Sequence, residues 1–253
     1  MKRNIFFILL CILIRLSVFA QLNEYDTIKT GYRFSSNGSW ITGNVERLIL
    51  NNQFDFIRNG KNFSFKSSNQ YTYGTIFKRE TENDFFVRNF LYHNYKNKIY
   101  PYAMLWFQSS KRQLLEQRWQ AGLGYTYRVL QQKKWIIKTS ATLSYETSTY
   151  ENNQFNFIPE GVSEQTVTCW RGTGRIWGVY QHKKLKISNE SWYQQATSDA
   201  NNYRLLSQTQ VDYAIHKRLS FRTQFQYMYE NLVVSRVKKE DKMLTFGLAI
   251  GNF

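Results

Sequence analysis

The stretch that decides the fold is Leu219–Tyr229, LSFRTQFQYMY. Leu219, Phe221, Thr223, Phe225, Tyr227 and Tyr229 alternate with Ser220, Arg222, Gln224, Gln226 and Met228. Successive side chains of a strand point to opposite faces, so this is a ribbon with one apolar, aromatic face and one polar face. Met243 to Phe253 repeats the pattern at the end of the chain. Such a ribbon turns its apolar face either into a soluble sandwich or lipocalin-like barrel, or out to lipid. Strand length separates the two. The alternating segments run for roughly 12 to 16 residues. Soluble strands usually have about 3–10, whereas a tilted membrane strand needs about 9–11 plus overhang.

Working outward, twelve segments alternate: roughly 29–40, 44–57, 62–76, 85–95, 99–109, 115–130, 134–149, 166–181, 185–197, 202–215, 219–233 and 242–253. The first is interrupted by Ser35-Ser36-Asn37-Gly38. The expectation is an all-β protein: a closed antiparallel transmembrane β-barrel of about twelve strands, the even count that single-chain bacterial barrels show. The breaks alternate in length. Short ones fall at Arg58–Lys61, Lys96–Lys98, Gln131–Lys134, His182–Lys184 and His216–Arg218. Mostly longer ones fall at Lys78–Asp84, Ser110–Gln113, Tyr150–Gln165, Ser198–Asn201 and Val234–Asp241. Short turns belong on the periplasmic side and long loops outside, which puts both termini in the periplasm.

A charged side chain facing lipid costs about 2–4 kcal/mol at the midplane, so the polar faces must point inward. By phase, Glu116, Arg118, Arg128, Lys138, Glu146, Arg171, Arg175, Glu190, Arg204, Asp212, Arg222 and Glu230 line the lumen. They form either a self-neutralising network in a narrow barrel or a pore for small polar solutes, with a slight preference for anions. Trp119, Trp135, Trp170 and Tyr180, near strand ends, suit the aromatic girdles of a membrane barrel. The apolar Phe155, Phe157 and Ile158 equip the loop from Tyr150 to Gln165 to fold over the external mouth.

The start of the chain reads as a signal peptide over residues 1–20, leaving 21–253 as one barrel domain. Lys2 and Arg3 precede an apolar run from Ile5 to Ile14, and Val18-Phe19-Ala20 precedes Gln21. Arg15 cuts the run too short for a membrane helix. Cys11 lies inside that run, which argues against a lipoprotein site, and Cys169 is then the one remaining cysteine. Of 34 Lys and Arg, removing Lys2, Arg3 and Arg15 leaves 31 against 18 acidic residues. An exported chain without a clustered nucleic-acid motif excludes nucleic acid as the partner of that charge. The expected location is the outer membrane of a Gram-negative cell. The expected partners are outer-membrane lipids and the barrel-assembly machinery, the latter reading an aromatic C-terminus at Phe253.

Catalytic, metal and cofactor sites find no support in the sequence. A lipid-hydrolysing barrel would need a histidine beside a serine on the outer surface. His93, His182 and His216 all fall near short turns without such a partner in sequence. Gly43-Asn44-Val45-Glu46, Tyr71-Thr72-Tyr73-Gly74, Leu114–Tyr125 (LLEQRWQAGLGY) and Glu240–Gly247 (EDKMLTFG) resemble the YdiY-like, salt-induced outer-membrane protein family, a domain of unknown function. The resemblance covers most of the mature chain. It implies an outer-membrane location and carries over no catalytic residue. The function expected is that of a porin-like outer-membrane barrel, structural or a narrow passive pore. The alternatives are a lipid-modifying membrane enzyme and a soluble periplasmic binding protein.

Overall fold

Alternation of apolar or aromatic with polar residues, rather than helix propensity, produces strands throughout. The structure, a computed structural model, describes residues 29–252. Among them are thirteen strands: β1 (Thr30–Ile41), β2 (Arg47–Asn59), β3 (Phe63–Ile76), β4 (Arg79–His93), β5 (Ile99–Ser110), β6 (Leu115–Gln131), β7 (Trp135–Tyr150), β8 (Val162–Ser163), β9 (Thr166–His182), β10 (Leu185–Ala196), β11 (Tyr203–His216), β12 (Leu219–Glu230) and β13 (Glu240–Asn252). β8 is a two-residue hairpin partner laid on the start of β9. The other twelve each pair antiparallel with their chain neighbours. β13 returns to β1, with Asn252 opposite Tyr32 and Phe246 opposite Gly38, so the sheet closes. Closure leaves no unpaired edge, the condition for a sheet to span lipid. The expected twelve-stranded transmembrane barrel is the fold observed. The signal peptide expected over 1–20 and the terminal Phe253 lie outside the described residues.

Two boundaries differ from the sequence reading, for local reasons. β1 runs unbroken through Ser35–Gly38, because this segment pairs on both sides, with Gln53–Leu50 of β2 and Ala249–Phe246 of β13. Its tightness is met by Gly247, where a Cβ would stand 2.1 Å from the Ser36 carbonyl oxygen. The break expected over Lys78–Asp84 is instead a two-residue turn, Phe77-Lys78, after which β4 begins at once. Both turn residues have positive φ, 47° and 63°. A turn left-handed at both central positions matches the twist of its strands, so it needs no longer loop.

Outward faces are apolar: Leu244, Phe246, Leu248 and Ile250 on β13, and Trp135, Leu143 and Tyr145 on β7, are all exposed. Trp119, Trp135 and Trp170 are also exposed, and Tyr180 is half-buried. Tyr145 meets Trp170 at 5.5 Å and Trp135 meets Tyr180 at 4.5 Å. Each residue of one pair lies ten positions along its strand from a residue of the other. At about 3.3 Å per residue that is roughly 33 Å along the strand, or about 25 Å of height at a tilt near 40°. Two aromatic girdles therefore flank an apolar band of membrane thickness.

Candidate functional site: the lumen

The inward faces fill the barrel with bridges that cross it at several levels. Near the long-loop end, Arg118 on β6 donates from both terminal nitrogens to the Glu230 carboxylate on β12, each at 2.9 Å. These strands stand on nearly opposite walls. Ser148 and Tyr150 accept further bonds from Arg118, at 3.0 and 3.1 Å. Glu146 accepts two bonds from Arg171, both at 3.0 Å, and is also bonded by Arg204. Toward the short-turn end, Glu190 pairs with Arg175 at 2.9 Å and with Arg88 of β4 at 3.5 Å. On the far wall, Asp212 accepts from Arg33 at 2.8 Å and from Arg222 at 2.8 and 3.1 Å. Amides add cross-links, including Gln210 to Gln53 and Gln70 to Gln226, both at 3.1 Å. A buried ion pair must recover the cost of desolvating both charges, and bidentate geometry with extra hydrogen bonds does so.

A second filling is aromatic. Phe90, Tyr92, Tyr95, Tyr100, Tyr102, Met104, Trp106 and Trp192 form one buried cluster inside the barrel. Arg175 bridges the two fillings, with its guanidinium carbon 4.7 Å from the Trp192 ring centre and 5.3 Å from that of Phe90. Lys138 lies 5.2 Å from the Trp177 ring and 6.0 Å from Tyr100. Tyr102 on β5 reaches past β6 to bond Thr142 on β7. It crosses at Gly124, where a Cβ would lie 2.8 Å from the Thr142 hydroxyl and 2.4 Å from the Ala141 carbonyl oxygen.

Between these groups, among the described residues, lie inward cavities of about 10 to 30 Å³ each. A single water needs about 10–15 Å³ on this measure, so each holds one or two waters and no solute. The long-loop mouth is capped as well. Residues 151–165 meet residues 231–239 through a bridge between Phe155 and Val234. Asn156 adds a backbone bond to the Val233 carbonyl at 3.0 Å and a side-chain bond to that of Asn231 at 2.9 Å. Leu115, Tyr150, Val167, Leu232 and Val234 are buried beneath, with Phe155 and Phe157 packed on them. Ile158, expected in this cap, is instead 89% exposed.

Of the residues expected in the lumen, Arg118, Lys138, Glu146, Arg171, Arg175, Arg204, Asp212 and Arg222 are buried inside, and Glu190 and Glu230 are mostly buried there. Two stand elsewhere. Glu116 is exposed, because a bulge pairs Leu115 with Tyr150 and Gln117 with Thr149 and leaves Glu116 over. Arg128 sits at the short-turn rim, donating to the carbonyl oxygens of Tyr95, Lys96 and Asn97 at 3.3, 2.9 and 2.6 Å. Sequence phase missed Arg33, Asp55, Lys66, Glu82, Arg88 and Lys186, all buried inside, and the aromatic cluster. Arg88 carried the missing signal. A charge on that strand must face inward, and Phe86 and Phe90 share its phase. Of the histidines, His182 and His216 are exposed at short turns, and His93 packs edge-on against Phe63 at 4.7 Å.

The pattern of a protein family described as "Protein of unknown function, DUF481" matches residues 38–251. This meets the expectation of a family built on a domain of unknown function, and the YdiY-like name is compatible with it. The comparison with curated proteins gave no match. Among solved structures, the NanC porin superposes with a TM-score of 0.53 at 10% identity, over 87% of this chain and 98% of its own. An outer membrane channel from Pseudomonas putida F1 gives 0.48 at 10% identity, over 92% of this chain and 100% of its own. The translocator domain of the autotransporter NalP from Neisseria meningitidis gives 0.48 at 10% identity, over 88% of this chain and 87% of its own. At this identity the porin shares the fold, and the likeness carries no substrate.

Proposed function

The chain belongs to the DUF481 family of proteins of unknown function, and we propose that it is a non-enzymatic outer-membrane barrel whose lumen is sealed at rest. In this reading it is a scaffold that passes small polar solutes poorly and only when the inner bridges part. The observation that carries the reading is the Arg118–Glu230 pair, which joins opposite walls by two hydrogen bonds. A barrel near eight strands is filled by side chains and one near sixteen holds a channel, so at twelve the side chains decide. Here they are large and mutually bonded, and the cavities between them among the described residues are water-sized.

The charge inside supports an anion preference for whatever passes. Arg33, Lys66, Arg88, Arg118, Lys138, Arg171, Arg175, Lys186, Arg204 and Arg222 face Asp55, Glu82, Glu146, Glu190, Asp212 and Glu230. The surplus is basic, which raises the local concentration of anions. The test is solute efflux from liposomes carrying the purified protein. Small anions should leave slowly, cations more slowly still, and sugars scarcely at all. Arg171→Ala with Arg175→Ala should lower the anion preference, and rapid efflux of cations or sugars through the wild type would defeat the proposal.

Orientation has its own check. The short turns carry Arg58, Lys61, Lys96, Lys98, Lys133, Lys134, Lys183, Lys184, Lys217 and Arg218, and all but the half-buried Arg218 are exposed. We place this basic collar at the periplasmic leaflet, where phosphates attract each base by about 1 kcal/mol. A cysteine in place of Lys133 should be unreachable by an impermeant thiol reagent outside intact cells. Ready labelling would mean that the barrel is inverted.

A further inference from the structure

The outer wall carries a groove of about 670 Å³, within the range of about 300–1,000 Å³ usual for ligand pockets. Its floor is made of the small outward residues Pro101 and Ala103 on β5 and Ala141 on β7, with the backbone of the inward-facing Gly124 on β6 between them. Leu91 and Phe63 rise on the β3–β4 side, Leu123 and Tyr125 stand on β6 between the β5 and β7 parts of the floor, and Leu143 rises beside Ala141 on β7. The depression exists because the outward side chains here are short while their neighbours are long. It lies in the apolar band and runs toward the short turns after β2 and β4, where His93 closes it with a buried, unbonded Nδ1.

Those two turns are tied into one platform. Tyr95 donates to the Gly60 carbonyl at 2.9 Å, and the Asn94 amide donates to that of Asn62 at 2.6 Å. Arg128 grips the same turn from the other side through three carbonyl oxygens. The platform presents Lys61, Lys96 and Lys98, all exposed, and neither turn contains an acid. Lys98 is steadied 5.3 Å above the Tyr127 ring, next to the groove.

We propose that this groove and platform form a seat for one anionic phospholipid of the adjacent leaflet, with an acyl chain in the groove and the phosphate among the three lysines. The proposal shares with the proposed function only the placement in a bilayer and does not depend on whether the lumen conducts. Charge complementarity selects the occupant: an apolar channel ending at fixed bases without acids matches an acyl chain ending at a phosphate. A second copy of this chain would bring its own basic turns against these and would be repelled.

The test is native mass spectrometry of the full purified chain, titrated with phosphatidylglycerol or with phosphatidylcholine of the same acyl chains. The wild type should retain one phosphatidylglycerol at a concentration about tenfold below that needed for phosphatidylcholine. Lys61→Gln with Lys96→Gln and Lys98→Gln should erase the preference while both lipids still bind. Ala103→Trp with Ala141→Leu should weaken both lipids, and Lys217→Gln with Arg218→Gln, across the barrel, should change nothing. If the groove variant fails to fold, judged by heat-modifiable mobility, the lysine variants decide alone. Equal retention of the two lipids by wild type would overturn the proposal. So would equal loss of preference in the opposite-wall variant, or a dimer that disappears when the groove is filled. Insertion into vesicles without lipid preference would sink this proposal and leave the proposed function standing.

Discussion

At the mouth, Glu146 gathers Arg171 and Arg204 while Arg118 reaches across to Glu230. One level toward the short turns, Arg175 instead lies against the rings of Phe90 and Trp192 and keeps one carboxylate, Glu190. The same side chain is thus held in two ways. The mouth holds guanidinium groups by directed bonds to acids, so it depends on every acid being present. The aromatic half holds its guanidinium by ring faces and packing, so it depends on volume. The barrel uses the first where the lumen must be spanned and the second where it can simply be filled.

Removing one acid should break the mouth most severely. Glu146→Leu leaves Arg171 and Arg204 buried without their main acceptor, and it should cost about 3–5 kcal/mol. Urea unfolding from lipid vesicles, followed by tryptophan fluorescence, measures it. Trp192→Ala opens a void beside Phe90, Trp106 and Arg175 and should cost about 3 kcal/mol in the same assay, near the low end for such truncations. Trp192→Phe should recover most of that loss, whereas Glu146→Gln should recover little, because the mouth needs the charge. A full rescue by Glu146→Gln would erase the distinction between the two halves. Gly124→Ala should cost about 1–3 kcal/mol by driving a methyl against the Ala141 carbonyl oxygen and Thr142. Glu116→Gln should change stability by less than about 0.5 kcal/mol, since its side chain lies outside both fillings.

The comparison also explains what the sequence shows and hides. Strands such as Leu219–Tyr229 were legible because hydropathy and face coincide. Each inward polar residue there has an apolar or aromatic neighbour on at least one side. On β4 that coincidence fails. Phe85, Val87 and Leu91 face out while Phe86, Phe90 and Tyr92 face in, so apolar residues occupy both phases and only the charged Glu82, Asp84 and Arg88 mark the interior. The aromatic half therefore left little trace, although Trp192 and Trp177 share the phase of Glu190 and Arg175. Glu116 was misplaced for another reason. A bulge shifts phase by one residue, and nothing in LLEQRW distinguishes the bulged pairing from the regular one. The cross-lumen partners were hidden altogether, because phase gives a wall and not the residue opposite it.

The central claim is that side chains bridging the lumen hold it shut. Single-channel recording in a planar bilayer, wild type beside Arg118→Ala with Glu230→Ala, tests it most directly. The wild type should stay silent or show rare, small, anion-selective openings, and the double variant should open more often and wider. Large, steady, cation-selective steps from the wild type, or identical records from the two proteins, would contradict the account.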